Sequence, residues 1–371
     1  MPQPVSAPPR IAGHIVGDSP LRIWSLASQE RLQRQLRRAG ATAEATAADR
    51  VVVLRADWVY DEPIVKGLAG QRQTCGMWAD GQCVALVVEP SQLQEAASLL
   101  AAGQAPAGLP QLAPGDVAGA FNAHLKKREP PFLLPLVAEN LPAIEARVFS
   151  GSYKGVTDFV TLYLWPRPAR AVTRMCAAAG ITPNMVTSLS LVLTLVAIWA
   201  FWTGHYWSGL ACAWGMTFLD TVDGKLARVT LNSSKFGDIF DHGIDLLTPP
   251  FWWWAWVVGL AAVNLPLPVG SLALSIIIWG YILQRIEEGG FEVLFKVPPH
   301  LWRRFDSKFR LVTARRNPNL AILTASMLFG RPDIGIQVVA WWVAICLVVH
   351  TVQFGQALLA RRNGPITSWL T

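Results

Sequence analysis

From about residue 185 the chain is a succession of long apolar runs, and that pattern limits its fold more than any other feature. A helix that crosses a bilayer needs about 20 predominantly apolar residues. Six stretches are candidate spans: 185–203, 207–226, 238–260, 266–284, 319–330 with its flanks, and 335–358. Within a bilayer every backbone polar group must be satisfied inside the segment, so such runs imply helices. The expected fold class is therefore an α-helical integral membrane protein with six transmembrane helices. Composition agrees, with 52% hydrophobic and only 15% charged residues. Tryptophan occurs 17 times, and the cluster at Trp252, Trp253 and Trp254 reads as a ring of aromatic side chains at a membrane interface.

The basic residues sort by side. "TGHYW" and "AAVNLPLP" contain no Lys or Arg. The opposite loops hold Arg167, Arg170 and Arg174, then Lys225, Arg228 and Lys235, then the stretch from Arg285 to Arg316, and finally Arg361 and Arg362. Only Arg331 departs from the alternation. The positive-inside rule places both termini and the 220–245 segment in the cytoplasm, as in a bacterial inner-membrane protein. The net charge of +7 then lies along an anionic lipid surface, and nucleic acid is not an expected partner. Five cysteines without a CxxC pair read as packed thiols of a reducing compartment. "MPQPVSAPPR" has no basic start followed by an apolar run, so it does not read as a signal peptide.

The first 145 residues have a different character. "SLASQERLQRQLRRAGA" predicts an amphipathic helix closed by Gly40, and "RVVVLRADWVY" a short buried strand followed by a loop. "DGQCVALVVEP" predicts a turn and a second strand, and "SQLQEAASLLAAG" a capped helix. The expected organisation is a small cytoplasmic α/β domain over 1–145, a juxtamembrane interfacial helix region over 146–184, and the six-helix membrane domain over 185–371.

Inside the apolar half, "DTVDGKLARVTLNSSKFGDIFDHGID" carries four carboxylates. Charges at membrane depth are costly unless paired, metal-bound or facing water, which marks them as functional. Asp220 and Asp223 are three apart and Asp241 and Asp245 four apart, so on helices each pair shares a face. A hairpin reversing near Asn232 would bring Asp223 and Asp241 to one height, since each lies nine residues from it. Four converging negative charges would repel or take up protons, and divalent cations with oxygen ligands remove the conflict. Mg²⁺ or Mn²⁺ suits such a set, and two ions can clamp a phosphoryl displacement. Gly224 leaves room for a ligand against the helix, Ala227 is small, Arg228 can reach a phosphate, and Gly237 opens the facing helix.

The pattern D-x2-D-G-x2-A-R-x8-G-x3-D-x3-D, written by Asp220, Asp223, Gly224, Ala227, Arg228, Gly237, Asp241 and Asp245, resembles the signature of the CDP-alcohol phosphotransferases at every position. The resemblance extends over roughly 150–360 and includes "ITPNMVT" before the first span. It implies a dimeric six-helix domain that binds two divalent ions and transfers a substituted phosphate from a CDP-alcohol to an acceptor hydroxyl, releasing CMP, in phospholipid synthesis. It further implies Asp220, Asp223 and Asp241 as metal ligands, and Asp245 as general base that can also touch a metal. Gly224, Ala227, Arg228 and Gly237 would bind the CDP-alcohol.

Plainer readings compete. Single aspartates can pair with Lys225, Arg228 or Lys235, and His242 would turn away from the Asp241/Asp245 face. Lys154, Arg167, Arg170 and Arg174 suit an interfacial helix. Most of the cluster Arg303, Arg304, Lys308, Arg310, Arg315 and Arg316 suits a charged loop, with Arg310, Arg315 and Arg316 as candidates for an anionic acceptor phosphate. Some archaeal family members carry an N-terminal cytidylyltransferase domain, and "VVVLRADWVYDEPIV", with Asp57, resembles its core strand and loop. No Gly-rich phosphate loop precedes it, which points to a nucleotidyltransferase-like domain without catalysis. The alternatives are an intramembrane Mg²⁺-dependent prenyltransferase, whose aspartate motifs lie far apart, and a non-enzymatic membrane carrier, whose charges would follow a path through the bilayer.

Overall fold

The computed structural model describes residues 10–371 except 46, 123–124 and 269; the side chains of Lys235, Phe236, Asp238, Asp241 and His242 also lie outside the described residues. The chain forms two compact units. The first comprises most of the chain up to Tyr153, and the second comprises 124–127 and most of the chain from Lys154 onward.

The first unit is built on a five-stranded mixed sheet. Its strands are β1 (Ile11–Val16), β2 (Arg50–Arg55), β3 (Cys75–Ala79), β4 (Gln82–Val88) and β5 (Gln111–Leu112), in spatial order β1-β2-β4-β3-β5. β1 and β2 run parallel, with Ile11 opposite Arg50, and α1 (Ser28–Arg38) lies between them in sequence. β2 and β4 are antiparallel, with Val51 opposite Val88. The run of β-branched residues in β2 is explained by burial: Val51, Val52, Val53 and Leu54 are all enclosed. The turn before β4 uses Asp80 and Gly81, both at positive φ, as the Asp-Gly pair requires. The sequence leaves β1 and β3 unannounced, because Gly13 and His14 in one and Gly76 in the other break the continuous apolar run that marks β2 and β4.

The second unit is helical, with α2 (Pro166–Ala178), α3 (Pro183–Trp202), α4 (Tyr206–Val229), α5 (Lys235–Gly259), α6 (Leu272–Phe295), α7 (Arg316–Leu328) and α8 (Pro332–Ala360). α3 begins just ahead of the expected span: Thr182 caps it by accepting from the Met185 N–H, and Pro183 fills the first helical position. The chain leaves α4 at Val229 and enters α5 at Lys235 behind the Ser234 cap, so the reversal falls near Asn232.

Among the described residues, three segments can cross a membrane by length and composition: Pro183–Trp202, Gly243–Val263 and Pro332–Asn363. Six of these helices fall on the six expected stretches, but the other three differ from apolar spans for visible reasons. α4 carries Asp220, Asp223, Lys225 and Arg228, α6 carries Arg285, Glu287, Glu288 and Glu292, and α7 has 13 residues. Leu195, Trp199, Trp202, Trp341, Val348 and Leu359 point outward from the apolar helices, as they would toward lipid.

The tryptophan cluster departs from the interfacial reading. Trp252 and Trp253 are 1% and 3% exposed and only Trp254 faces outward, at 39%. The reason is packing. Trp256, one turn on from Trp252, lies 4.9 Å from the Phe201 ring and 4.5 Å from Tyr206, and donates to the Pro332 carbonyl at 3.0 Å. Gly259 lets α3 and α5 meet, since a β-carbon there would stand 1.8 Å from the Phe201 carbonyl oxygen. Small residues at such crossings are how membrane helices approach closely. Gly259→Ala is therefore expected to destabilise the detergent-solubilised protein by about 1–3 kcal/mol, read as a lower melting temperature; an unchanged one would contradict this crossing.

Candidate active site

A cavity of about 630 Å³ opens within the helical unit, and it collects the charged faces of four helices. From α4 come Thr217, Asp220, Thr221, Gly224 and Arg228, spaced by three and four so that they share one stripe. From α5 come Asp245, Pro249 and Trp253, and from α6 Tyr281, Arg285, Glu288 and Glu292. The start of α7 and the loop before it add Arg310, Arg315, Arg316 and Asn317.

Arg316 stands at the meeting point. It holds Asp245 in a forked pair at 2.7 and 2.9 Å and reaches Asp220 at 3.2 Å. It thus joins the first and last aspartates of the signature, instead of standing free to meet an acceptor. Arg315 is occupied as well, at 2.6 Å from Glu288, which also pairs with Arg285 at 3.0 Å. Asp223 accepts from the Thr187 hydroxyl at 2.6 Å, which ties α4 to the "ITPNMVT" turn of α3. The Asp241 side chain lies outside the described residues. Among the described residues no group of three or more His, Cys, Asp or Glu side chains converges as a metal site. Asp220 and Asp245, with Thr217 and Thr221, nevertheless give the wall oxygen donors of the kind a hard cation such as Mg²⁺ or Mn²⁺ takes, whereas Asp223 is buried and does not line it.

The other signature positions divide. Gly224 and Arg228 line the cavity and belong together, since a β-carbon at Gly224 would lie 2.9 Å from the Arg228 guanidinium. At Gly237 the space is filled by Asn184, whose side-chain oxygen would be 2.5 Å from an added β-carbon. Gly237 therefore accommodates α3. Ala227 is half-buried on α4.

Sequence reasoning missed several wall residues. Asp158 accepts from the Thr161 N–H at 3.0 Å and its hydroxyl at 2.8 Å, and from the Asn317 amide at 2.9 Å, which fixes the segment ahead of α2 to the start of α7. Lys154, grouped by sequence with the interfacial arginines, faces the cavity. His300 also lines it, held neutral by burial and by the nearby Arg310. Burial, with Arg315 close by, pushes the Arg310 guanidinium down to about 9, still charged at neutral pH.

Tyr281 was equally invisible in the sequence. Pro249 and Pro250 lie inside α5, so the carbonyls four residues earlier, Asp245 and Leu246, receive no helical N–H. The Tyr281 hydroxyl donates to both, at 3.4 and 3.0 Å. One phenol therefore steadies the backbone that carries Asp245.

Residues 180–287 match the family model described as CDP-alcohol phosphatidyltransferase, a range that holds the whole signature. The chain carries a CDP-alcohol phosphatidyltransferase domain. It is 39% identical over 83 residues to the archaetidylinositol phosphate synthase of Pyrococcus horikoshii, covering 22% of this chain and 44% of that protein. It is 42% identical over 91 residues to the human cholinephosphotransferase 1, covering 24% and 21%. With the phosphatidylinositol phosphate synthase of Mycobacteroides abscessus it shares 28% identity over 120 residues, 30% of this chain and 53% of that one. Each match thus spans little more than half of the relative at most, and each relative is named as a synthase or a phosphotransferase.

Tyr281→Phe is expected to leave the two carbonyls of the phosphatidyltransferase domain without their donor and to cost roughly 0.5–2 kcal/mol. Thermal unfolding of the full chain in detergent measures this, and an unchanged midpoint would show that another donor serves them.

Proposed function

We propose that the chain transfers a substituted phosphate group from a CDP-alcohol to an acceptor hydroxyl, with release of CMP. The observation that carries this reading is the cavity wall on which Asp220, Gly224, Arg228 and Asp245, drawn from two helices, stand together among basic side chains. In the reaction the acceptor oxygen forms a bond to the phosphorus next to the alcohol, and the bond from that phosphorus to the CMP oxygen breaks. CMP leaves with the electron pair. Asp245, half exposed to the cavity, takes the acceptor's proton. Arg228 meets the diphosphate, and Gly224 lets it approach the helix. Asp220, Asp223 and Asp241 would hold two divalent cations, Mg²⁺ or Mn²⁺, which supply charge neutralisation at the diphosphate when bound. Arg316 serves the carboxylates first, and Arg310 with Arg315 forms the candidate acceptor-phosphate wall.

Six spans remain our reading of the membrane domain. Residues 206–219 of α4 and 272–284 of α6 contain no charged side chain, so both helices have an apolar part and a charged end. We place the charged ends, both termini and the site on the cytoplasmic side of a bacterial inner membrane, and the protein as a homodimer. The unit boundary at Tyr153 and Lys154 lies close to the expected domain limits. The first unit is read as a nucleotidyltransferase-like domain without catalysis, supported by Asp57, which is engaged by Arg55 at 2.9 and 2.6 Å. The relatives' names suggest donors of both kinds: CDP-diacylglycerol with a polar acceptor, or a CDP-polar headgroup with a lipid acceptor.

Purified full-length protein should release CMP with one of these donor–acceptor pairs. EDTA should abolish release, and added Mg²⁺ or Mn²⁺ should restore it; full turnover in metal-free buffer would remove the ligand roles. Asp245→Asn should lose turnover by about 10²–10⁴-fold while still binding the nucleotide. Asp220→Asn, Asp223→Asn and Asp241→Asn should lose metal and nucleotide binding together in calorimetric titrations. If Asp245→Asn abolishes metal binding as fully as Asp223→Asn, Asp245 is a ligand and the base lies elsewhere.

A further inference from the structure

Past α8 the chain turns back on itself. A short helical turn at Arg361–Asn363 leads into Gly364, whose φ of 142° and ψ of 178° form a backbone that only glycine takes without strain. No atom lies within 4 Å of the place where a β-carbon on Gly364 would stand, so the glycine sets the direction of the backbone and relieves no clash. From there residues 365–371 run without helix or strand, yet Ser368 and Leu370 are buried.

They are buried against the loop between α6 and α7. The Leu301 carbonyl accepts from the Trp369 N–H at 3.2 Å and from the Ser368 hydroxyl at 2.9 Å. The Trp369 indole N–H donates to the Ser307 hydroxyl at 2.8 Å, and that hydroxyl donates to the His300 carbonyl at 2.6 Å. The Arg304 guanidinium stands over the Trp369 ring, 5.3 Å from its centre. The loop has anchors on α8 as well: Gln353 donates to the Pro299 carbonyl and Arg303 to the Gln356 side chain, both at 2.7 Å. His300 and Leu301 lie between those anchors, and their carbonyls are the ones the returning segment secures. This loop matters because it supplies Pro298, Pro299, His300 and Arg310 to the wall of the cavity. A short helix, Arg304–Phe309, carries the chain from Ser307 to Arg310, whose N–H donates to the Asp306 carbonyl at 3.1 Å.

We propose that residues 366–370 form a strap, hinged at Gly364 and latched by Trp369, that holds the His300–Arg310 stretch of the cavity wall closed, and that releasing the strap opens this wall while the helices stay folded. The strap is made of a few hydrogen bonds and one cation over a ring, each modest in net worth. A segment without secondary structure held in this way has the profile of a unit that opens locally, well below the cost of global unfolding. The aspartates are secured separately, by Arg316 between Asp220 and Asp245, and the strap has no part in that contact. The inference therefore stands apart from the phosphotransfer reading.

The test uses the full chain in detergent. Diethyl pyrocarbonate modifies neutral imidazoles, and burial with Arg310 nearby keeps His300 neutral, so its rate of modification reports how far the wall is open. Peptide mass spectrometry separates it from His205, which is exposed between α3 and α4. Trp369→Ala and Gly364→Ala should each speed modification of His300, and amide hydrogen exchange over 299–309, several-fold. His205 modification and exchange within α3 should not change. Gly364→Ala removes no contact, so its effect comes through the hinge alone. Trp369→Phe keeps a ring beneath Arg304 but loses the indole N–H, and should fall between the unaltered chain and Trp369→Ala. His300 and loop rates unchanged in both alanine variants, or α3 exchanging faster in step with the loop, would overturn the strap. In CMP release, the alanine variants should raise KM several-fold and leave kcat nearly constant, since Asp245 is held elsewhere; a fall in kcat at unchanged KM would overturn the role of the wall. No CMP release from the unaltered chain would overturn the transfer reading alone, and the strap would still be decided by the His300 and exchange rates.

Discussion

The helical unit depends on how it compensates carboxylates that would otherwise be stranded among apolar helices. Arg316 settles most of this by gripping Asp245 with both arms of its guanidinium while touching Asp220. A planar, permanently charged fork can do this where lysine, a single point charge, cannot. The contact joins α4, α5 and α7 at one level, and Glu288 does the same between α6 and the loop carrying Arg315. Without such pairing, each buried carboxylate would either take up a proton or force the helices apart. The cavity exists because these charges face each other across it.

Much of this was legible in the sequence, for identifiable reasons. The aspartate spacings of three and four survive as a stripe on α4 because helical periodicity is a local property. The turn expected in "TLNSSKFGD" falls between α4 and α5 because turn chemistry is local as well. What failed to show was whatever depends on distant segments meeting. Trp252 and Trp253 look like interface residues until Phe201 and Tyr206 close over the next turn. Gly237 looks like part of a nucleotide pocket until Asn184 occupies its space. Lys154, Asp158 and Tyr281 have no motif around them, and only the fold brings them to the cavity. β1 and β3 are short runs broken by Gly13, His14 and Gly76, and only their neighbours in the sheet make strands of them.

The site divides into a shared core and a particular rim. The core, on α4 and α5, falls in the segment common to proteins named for different headgroups. The rim is supplied by residues before and after it: Lys126, Lys154 and Asp158 on one side, Arg310 and Asn317 on the other. The Asn317 amide bound to Asp158 fastens the two parts of the rim to each other. The cavity wall is thus drawn from the matched stretch and from segments on either side of it.

The paired prolines of α5 bear on how force passes through the molecule. A continuous helix transmits a displacement along its hydrogen-bond ladder, and Pro249 with Pro250 removes two successive bonds of that ladder. The half beyond them is clamped by Trp256 and Gly259 against α3, whereas the half before them carries Asp245. The Tyr281 hydroxyl, bound to the two released carbonyls, keeps the carboxylate-bearing half aligned with α6 and not with its own far end. The two halves of the helix are thus held by different neighbours, α3 beyond the prolines and α6 before them.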